Sequence, residues 1–160
     1  MSITLRKPKL FVVLLSLILA TSVALASFGH SASAAEPSTG DKIAKFAKSL
    51  EGKPYKYGGN TPEGFDASGF TQYVFKNDAK VTLPRTIADQ YKQGTTVSQK
   101  DLKAGDLVFF QEGNSKSPTF VGIYMGDQKF IAATLKGVKV QSLTANYWKN
   151  AYMTSKRIVK

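Results

Sequence analysis

The segment Gly64-Phe65-Asp66-Ala67-Ser68-Gly69-Phe70 (GFDASGF) decides how this chain folds. It lies between residues 53–65, a loop dense in glycine and proline, and residues 70–74, whose apolar side chains recur at helical spacing. Asp66 suits a helix N-terminus, because its carboxylate can accept hydrogen bonds from backbone N–H groups of the first turn. The sequence therefore predicts a second helix that begins beside Asp66 and carries Ala67 in its first turn.

Two further helices are expected around this segment. The first would be capped by Asp41, would present apolar residues at i, i+3, i+4 and i+7, and would end at Gly52. The third would cover residues 87–93 and would be closed by Gly94. All the predicted helices therefore lie in the first half of the domain, except for a turn or short helix over residues 143–149.

The second half of the chain changes from helical spacing to short apolar runs separated by turns that contain Gly or Asp. These runs predict strands at 106–111, 119–125, 129–134, 138–140 and 151–159. Helices followed by consecutive strands are typical of the α+β class. We therefore expect N-terminal helices packed on an antiparallel β-sheet.

The N-terminus has the pattern of a signal peptide, predicted over residues 1–34. A basic start precedes the apolar run 10–26, and Ala32-Ser33-Ala34 matches a cleavage site, which places the mature start near Ala35. Residues 35–40 would then form a linker and 41–160 the domain. The protein is expected to be secreted or associated with the cell wall, without a stable membrane anchor. An uncleaved anchor is the alternative, because the apolar run is just long enough to span a thin bilayer.

The chain has no Cys, and its single His, His30, lies in the predicted signal peptide. Disulfides, a Cys nucleophile, Cys/His zinc sites and any Ser-His or Cys-His pair are therefore excluded from the mature chain. A lipoprotein is excluded for the same reason, since lipid attachment needs a Cys. A carboxylate site for calcium or magnesium stays open in principle, but no EF-hand loop is present, and we predict no metal and no cofactor.

Cleavage would remove three basic residues and no acidic ones, which leaves 19 Lys+Arg against 11 Asp+Glu and a net charge of +8. Seventeen of these basic residues are Lys, spread along the chain without a basic block. Nucleic acid is therefore not an expected partner. Anionic cell-wall polymers are possible ones, because opposite charges attract over long range.

Several motifs stand in a fixed order along residues 41–158. They are Gly52-Lys53-Pro54-Tyr55 with Tyr57-Gly58-Gly59, the GFDASGF segment, Leu83-Pro84-Arg85-Thr86, Asp89-Gln90 with Gly94, Leu102 with Gly105-Asp106-Leu107-Val108-Phe109-Phe110, Val121-Gly122-Ile123-Tyr124-Met125-Gly126, and Phe130-Ile131-Ala132-Ala133. Their order and spacing resemble the NlpC-type cell-wall peptidase family, papain-like cysteine endopeptidases that cut peptidoglycan stem peptides. The resemblance implies a papain-like NlpC-type domain.

Three positions depart from the family's pattern. The family has D-C-S-G, H-V-G-I-Y and F-I-H-A where this chain has Ala67, Phe120 and Ala132 at the Cys and the two His positions. In the family, the Cys at a helix N-terminus attacks as a thiolate, one His takes its proton, and a third polar group orients that His. The resemblance therefore implies a pseudoenzyme, a member of the family that lacks its catalytic residues.

The resemblance also implies a polar subsite beside this centre, at Tyr57, Asp66, Ser68 and Arg85. Asp66 could pair with the free amino end of a stem peptide, while Arg85 holds Asp66 or a ligand carboxylate. The other interpretation is structural: Asp66 or Ser68 only caps the helix, and Arg85 only pairs with Asp66. Both interpretations stay open.

Three functions follow from these observations. The leading hypothesis is a secreted, inactive NlpC-type homologue that binds peptidoglycan fragments, stem peptides or a protein partner at the cell surface. The second is an active peptidoglycan endopeptidase with substituted catalytic residues, although Ser68 has no His as a base and no S-x-x-K motif exists. The third is an exported interaction or effector protein that uses the fold as a scaffold. Trp148, Tyr147 and Tyr152 could either stack on sugars or pack in the core.

Overall fold

The computed structural model describes residues 36–160, so the predicted signal peptide lies outside the described residues. Four α-helices and eight strands are present in this part of the chain. The helices are α1 (Thr39–Ser49), α2 (Ala67–Val74), α3 (Ile87–Gln90) and α4 (Asn146–Ala151). The strands are β1 (Asn60–Thr61), β2 (Gly64–Phe65), β3 (Thr95–Val97), β4 (Leu107–Phe110), β5 (Phe120–Gly126), β6 (Lys129–Thr134), β7 (Gly137–Ser142) and β8 (Tyr152–Arg157).

Helix α1 begins earlier than the sequence predicts. Its N-cap is Ser38, which forms a capping box with Asp41, so Asp41 is the third residue of the helix rather than its cap. Residues 38–40, expected to belong to a linker, therefore form the start of the domain. Gly40 lies so close to the turn before β4 that a Cβ there would come within 2.0 Å of the Ala104 carbonyl oxygen.

Helix α2 begins at Ala67 with Asp66 as its N-cap, as predicted. The Asp66 side chain accepts a hydrogen bond from the backbone N–H of Gly69. After Val74 the chain continues as a π-helical turn over Phe75–Ala79, and Lys80 ends that turn with φ of 58°. Helix α3 is shorter than predicted, because the residues after Gln90 form turns up to Gly94 rather than a further helical turn.

The six-stranded sheet has the order β3-β8-β4-β5-β6-β7, and every neighbouring pair is antiparallel. The expectation of an antiparallel sheet that follows the helices is therefore confirmed, and the domain is of the α+β class. Strands β1 and β2 form a separate two-stranded hairpin in the loop before α2. Strand β3 and this small hairpin were not predicted.

Two apolar clusters hold the sheet between them. On the side of α1 and α2, Ile43, Phe65, Phe70 and their neighbours pack against the side chains of β4, β5 and β6 that point to the helices. On the opposite side, a second cluster consists of Val108, Phe110, Tyr124, Phe130, Ala132, Leu143 and Trp148. Phe120, at the start of β5, packs against both clusters. The start of β5 is therefore where the helical layer, the sheet and the aromatic cluster meet.

Candidate functional site

A groove of about 1330 Å³ crosses the domain at this junction. It runs past the N-terminus of α2, the start of β5, the turn between β6 and β7, and helix α4. The groove contains all four predicted subsite residues, Tyr57, Asp66, Ser68 and Arg85, and two of the three positions that depart from the family's pattern, Ala67 and Phe120. Ala132 is the exception, since its side chain belongs to the buried aromatic cluster.

Asp66 and Arg85 form a bidentate ion pair on one wall of the groove. Arg85 Nη2 lies 2.5 Å from Asp66 Oδ2, and Arg85 Nη1 lies 3.0 Å from Asp66 Oδ1. The backbone N–H groups of Gly69 and Gly58 donate to the same carboxylate. Arg85 and two backbone N–H groups therefore hold the Asp66 carboxylate, an arrangement that the structural and the ligand-binding interpretations both include.

The pKa of Asp66 reflects this environment. Partial burial by itself would raise the pKa, because it disfavours the charged form. Hydrogen bonds from Arg85, Gly69 and Gly58, together with the charge of Arg85, outweigh burial and hold the pKa below its usual value of 3.8. The carboxylate is therefore ionised at neutral pH.

A buried hydrogen-bond network holds the segment that carries Arg85. Gln90 is fully buried, and its Nε2 donates to the carbonyl oxygens of Ser68 and Pro84. Thr71 Oγ1 donates to Gln90 Oε1 over 2.7 Å. Ser68 itself is buried and accepts a hydrogen bond from Arg85 Nη1. Gln90 therefore ties α3, α2 and the loop before Arg85 into one unit.

The three positions that depart from the family's pattern, Ala67, Phe120 and Ala132, differ in their surroundings. Ala67 and Phe120 both line the groove, so a groove remains beside Ala67. The Phe120 ring stacks on the Trp148 indole, with ring centroids 5.0 Å apart and planes inclined by 29°. Ala132 has 0% exposure and lies in the cluster with Trp148 and Phe130. An aromatic stack therefore occupies the region beside Ala67 and Ala132.

Other aromatic side chains line the groove with different degrees of exposure. Tyr57 is 89% exposed and Tyr147 is 57% exposed, whereas Trp148 is buried in the aromatic cluster. The Tyr147 hydroxyl donates to the Glu112 carboxylate, and this hydrogen bond to a negative charge raises the pKa of Tyr147. Tyr152 is half-buried, contacts Phe110 and does not line the groove.

The turn between β6 and β7, together with β7 itself, adds groove residues that the sequence did not single out, namely Leu135, Lys136 and Lys139. Leu135 is 84% exposed, which is unusual for a large apolar side chain. The sequence contains one sign of this exposure. Leu135 directly precedes a Lys-Gly turn between two predicted strands, so its side chain is not expected to reach the core. Its position beside the groove follows from the strand pairing.

Within residues 36–160, no group of three or more acidic or His side chains is close enough to hold a metal ion. No helix in that part of the chain is long and apolar enough to cross a membrane. What the groove offers is an ion pair, hydroxyl groups, aromatic surface and two lysines.

Comparison with known families gives a match to the NlpC/P60 family over residues 52–157. The chain belongs to the NlpC/P60 family. The match covers the segment from the loop before β1 to the end of β8, which includes every residue of the groove. The resemblance inferred from the ordered motifs is therefore confirmed.

Members of the NlpC/P60 family with curated names are similar to this domain. Gamma-DL-glutamyl hydrolase of Bacillus subtilis is 45% identical over 121 residues, which are 72% of this chain and 29% of that protein. Murein DD-endopeptidase MepH of Escherichia coli is 37% identical over 113 residues, 68% of this chain and 42% of that protein. The chain thus spans less than half the length of these two relatives.

A solved NlpC/P60 structure has the same fold. The NlpC/p60 domain of peptidoglycan hydrolase SagA superposes with a TM-score of 0.65 and 32% sequence identity. The superposition covers 74% of this chain and 98% of that domain. The architecture described above is therefore that of an NlpC/P60 domain.

Proposed function

We propose that this domain binds peptide fragments of peptidoglycan in the groove and does not cleave them, as a secreted or cell-wall-associated protein. The observation that carries the proposal is that Ala67 and Phe120 face the same groove. At these positions the family's pattern has its nucleophile and its base. The names of the relatives, which include a murein endopeptidase, support peptidoglycan as the class of ligand.

The absence of hydrolysis follows from the chemistry of the groove. An alanine methyl group cannot attack a carbonyl carbon, and a phenyl ring cannot accept a proton. Ser68 is the nearest hydroxyl group in the sequence, but its hydrogen bonds are to Arg85 and Asp66, and neither is a free base. A guanidinium group has no hydrogen-bond acceptor, and the Asp66 carboxylate is neutralised by its ion pair with Arg85.

Binding needs none of the lost groups. Tyr57 is almost fully exposed at the edge of the groove and can stack on a ligand or donate a hydrogen bond. The guanidinium of Arg85 is partly exposed, so it can contact a ligand carbonyl while it holds Asp66. The ligand would therefore lie against Tyr57 and the ion pair, with its backbone passing Ala67 and Phe120.

The test combines binding with a search for cleavage. Purified protein is mixed with insoluble peptidoglycan and sedimented, and it is then titrated with soluble muropeptides while the fluorescence of Trp148, the single Trp of the chain, is followed. We expect co-sedimentation, a saturable change in Trp148 emission, and no new amino termini by mass spectrometry. Tyr57→Ala should weaken binding without altering the urea unfolding curve, because Tyr57 is exposed.

Two results would contradict the proposal. Absence of binding to both peptidoglycan and muropeptides would exclude the wall-binding function and favour a protein partner. New amino termini that disappear in Ser68→Ala would instead show an active endopeptidase with substituted residues. Lys100→Gln, an exposed change outside the groove, is the matched control for effects of purification or charge.

A further inference from the structure

Two lysines at one end of the groove form no ion pair within residues 36–160. Lys136, in the turn between β6 and β7, and Lys139, in β7, are both exposed and line the groove. Within residues 36–160, the four ion pairs join Lys48 to Glu51, Arg85 to Asp66, Lys92 to Asp89, and Arg157 to Asp106. Neither groove lysine belongs to any of them, although the charge of Lys139 contributes to the lowered pKa of Glu51. Both ammonium groups can therefore form an ion pair with a ligand.

The acidic residues of the groove are already engaged. Asp66 is held by Arg85 and two backbone N–H groups, and Glu112 accepts the hydroxyl of Tyr147. The Asp66–Arg85 pair carries no net charge. Near β7, the Glu51 carboxylate accepts a hydrogen bond from the Val140 N–H and interacts with the charge of Lys139, but its ion pair is with Lys48. Positive charge therefore exceeds negative charge at this end of the groove, which favours an anionic ligand group there.

The backbone that carries these lysines is fixed by the neighbouring loop. Val138 donates its N–H to the carbonyl of Lys53 over 2.8 Å, and Gly52 donates to the carbonyl of Val138 over 2.9 Å. Gly137 has φ of +91°, and a Cβ there would come within 2.7 Å of the Lys53 carbonyl oxygen. The positions of Lys136 and Lys139 along the groove are therefore set by the fold before any ligand arrives.

Apolar surface lies beside the lysines. Among residues 36–160, three large apolar or aromatic side chains are highly exposed, namely Tyr57, Leu135 and Tyr147, and all three line this groove. Strand pairing also places Lys139 directly opposite Ala132, on the side of the sheet that carries Phe120 and Trp148. Positive charge and exposed apolar surface thus adjoin in one groove, as a ligand with both carboxylates and apolar groups requires.

We infer that Lys136 and Lys139 form a carboxylate-binding subsite, which makes the groove selective for wall peptides whose carboxyl groups are free over the same peptides in amidated form. This inference rests on the proposed function and adds the charge state of the ligand. An amide offers a carbonyl oxygen to an ammonium group but no negative charge. Each lysine would therefore distinguish the two forms by the charge-assisted part of the hydrogen bond.

The test is a titration of purified protein with two synthetic stem peptides, monitored by Trp148 fluorescence. One peptide has its carboxyl groups free, and in the other they are primary amides. The lysines are replaced together in Lys136→Gln/Lys139→Gln. Lys76→Gln/Lys100→Gln is the matched control, because it removes the same charge from exposed positions outside the groove.

We expect the free-acid peptide to bind the parent more tightly than the amidated one. The groove variant should lose about 5- to 30-fold in affinity for the free acid, as expected for two partly exposed ion pairs, and should bind the amidated peptide as the parent does. The control variant should keep the parent's preference. Added salt should reduce the difference between the parent's affinities for the two peptides, because salt screens the charges of the lysines.

Four results would overturn the inference. If both peptides bind the parent equally, or if the groove variant keeps the preference, the subsite is absent while the proposed function stands. If the control variant loses as much affinity as the groove variant, overall charge rather than this subsite attracts the ligand. If neither peptide binds, the inference and the proposed function both fail.

Discussion

Phe120, which stands where the family's pattern has a His, packs among aromatic neighbours. Its ring stacks on Trp148, and Trp148 also contacts Phe110 and Phe130 with centroids about 5 Å apart. Ala132 is fully buried in the same cluster. A Cβ added at the neighbouring Gly122 would lie 3.2 Å from the Ala132 Cβ, so the space around Ala132 is closely filled. Phe120 and Ala132 are thus part of a closely packed aromatic cluster.

This packing predicts the result of restoring the family's residues. The variant Ala67→Cys/Phe120→His/Ala132→His should cleave no muropeptide, because an imidazole at position 132 has no room to face residue 120. Overpacking at a buried site should lower the free energy of unfolding by about 1–3 kcal/mol. Urea unfolding and mass spectrometry of digests measure both effects.

The single variant Ala67→Cys is the control for this experiment. Position 67 lines the groove, so a thiol there should leave the unfolding curve close to the parent's. A triple variant that is as stable as the parent and cleaves muropeptides would show that the pocket kept room for the full catalytic set.

The ion pair of Asp66 predicts a dependence of stability on pH. Its pKa in the folded state lies below the usual value of 3.8, so it contributes stability that is fully present above pH 3.8. As the pH falls below 3.8, the unfolded chain takes up a proton first, and this contribution is lost as the pH passes the folded-state pKa. Urea unfolding between pH 2 and pH 6 should show the loss.

Asp66→Asn should be less stable at pH 6 and should show a shallower fall in stability below pH 4. Asp127→Asn is the matched control, because Asp127 is exposed and takes part in none of the ion pairs of residues 36–160. An unchanged slope in Asp66→Asn would mean that other carboxylates carry the acid sensitivity.

Helix α3 has one turn of helix, yet it positions Arg85 through Gln90. Gln90→Ala would leave the Ser68 and Pro84 carbonyls without their donor and would open a cavity between α3 and α2. We expect the free energy of unfolding to fall by about 2–4 kcal/mol. Gln93→Ala, on the exposed turn after α3, should change it by less than about 0.5 kcal/mol. Equal effects of the two substitutions would contradict this role for Gln90.

The elements that could be predicted from sequence are those with a strong local signal. Helix α2 was placed correctly because Asp66 caps it, and β6 was placed at residues 129–134, as observed, because an apolar run stands between two turns. Strand β3 has three residues at the edge of the sheet, and its pairing with β8 joins residues about 60 positions apart, so no local pattern marks it. The cap of α1 was misplaced because Ser38 and Asp41 are both good capping residues.

At the level of the whole domain, the ordered motifs were enough to predict membership of the NlpC/P60 family. They also predicted that Tyr57, Asp66, Ser68 and Arg85 lie together at one site. The groove's other end could not be predicted in the same way. Nothing in the sequence distinguishes Lys136 and Lys139 from the other lysines among the 17 after residue 34. They line the groove because of how strands β6 and β7 pair. Burial of Ala132 likewise depends on Trp148, which comes from a distant helix.

The strand order has a consequence for how this domain reaches its folded state. Strand β8 is the last strand in the described part of the chain, and it lies inside the sheet between β3 and β4. The sheet therefore cannot be completed until β8 is available, because β3 pairs with no other strand within residues 36–160. Completion of the sheet thus requires pairing between strands that are far apart in the sequence, and such pairing is slow. A variant truncated before Tyr152 should remain open and easily degraded, although it retains every residue of the groove.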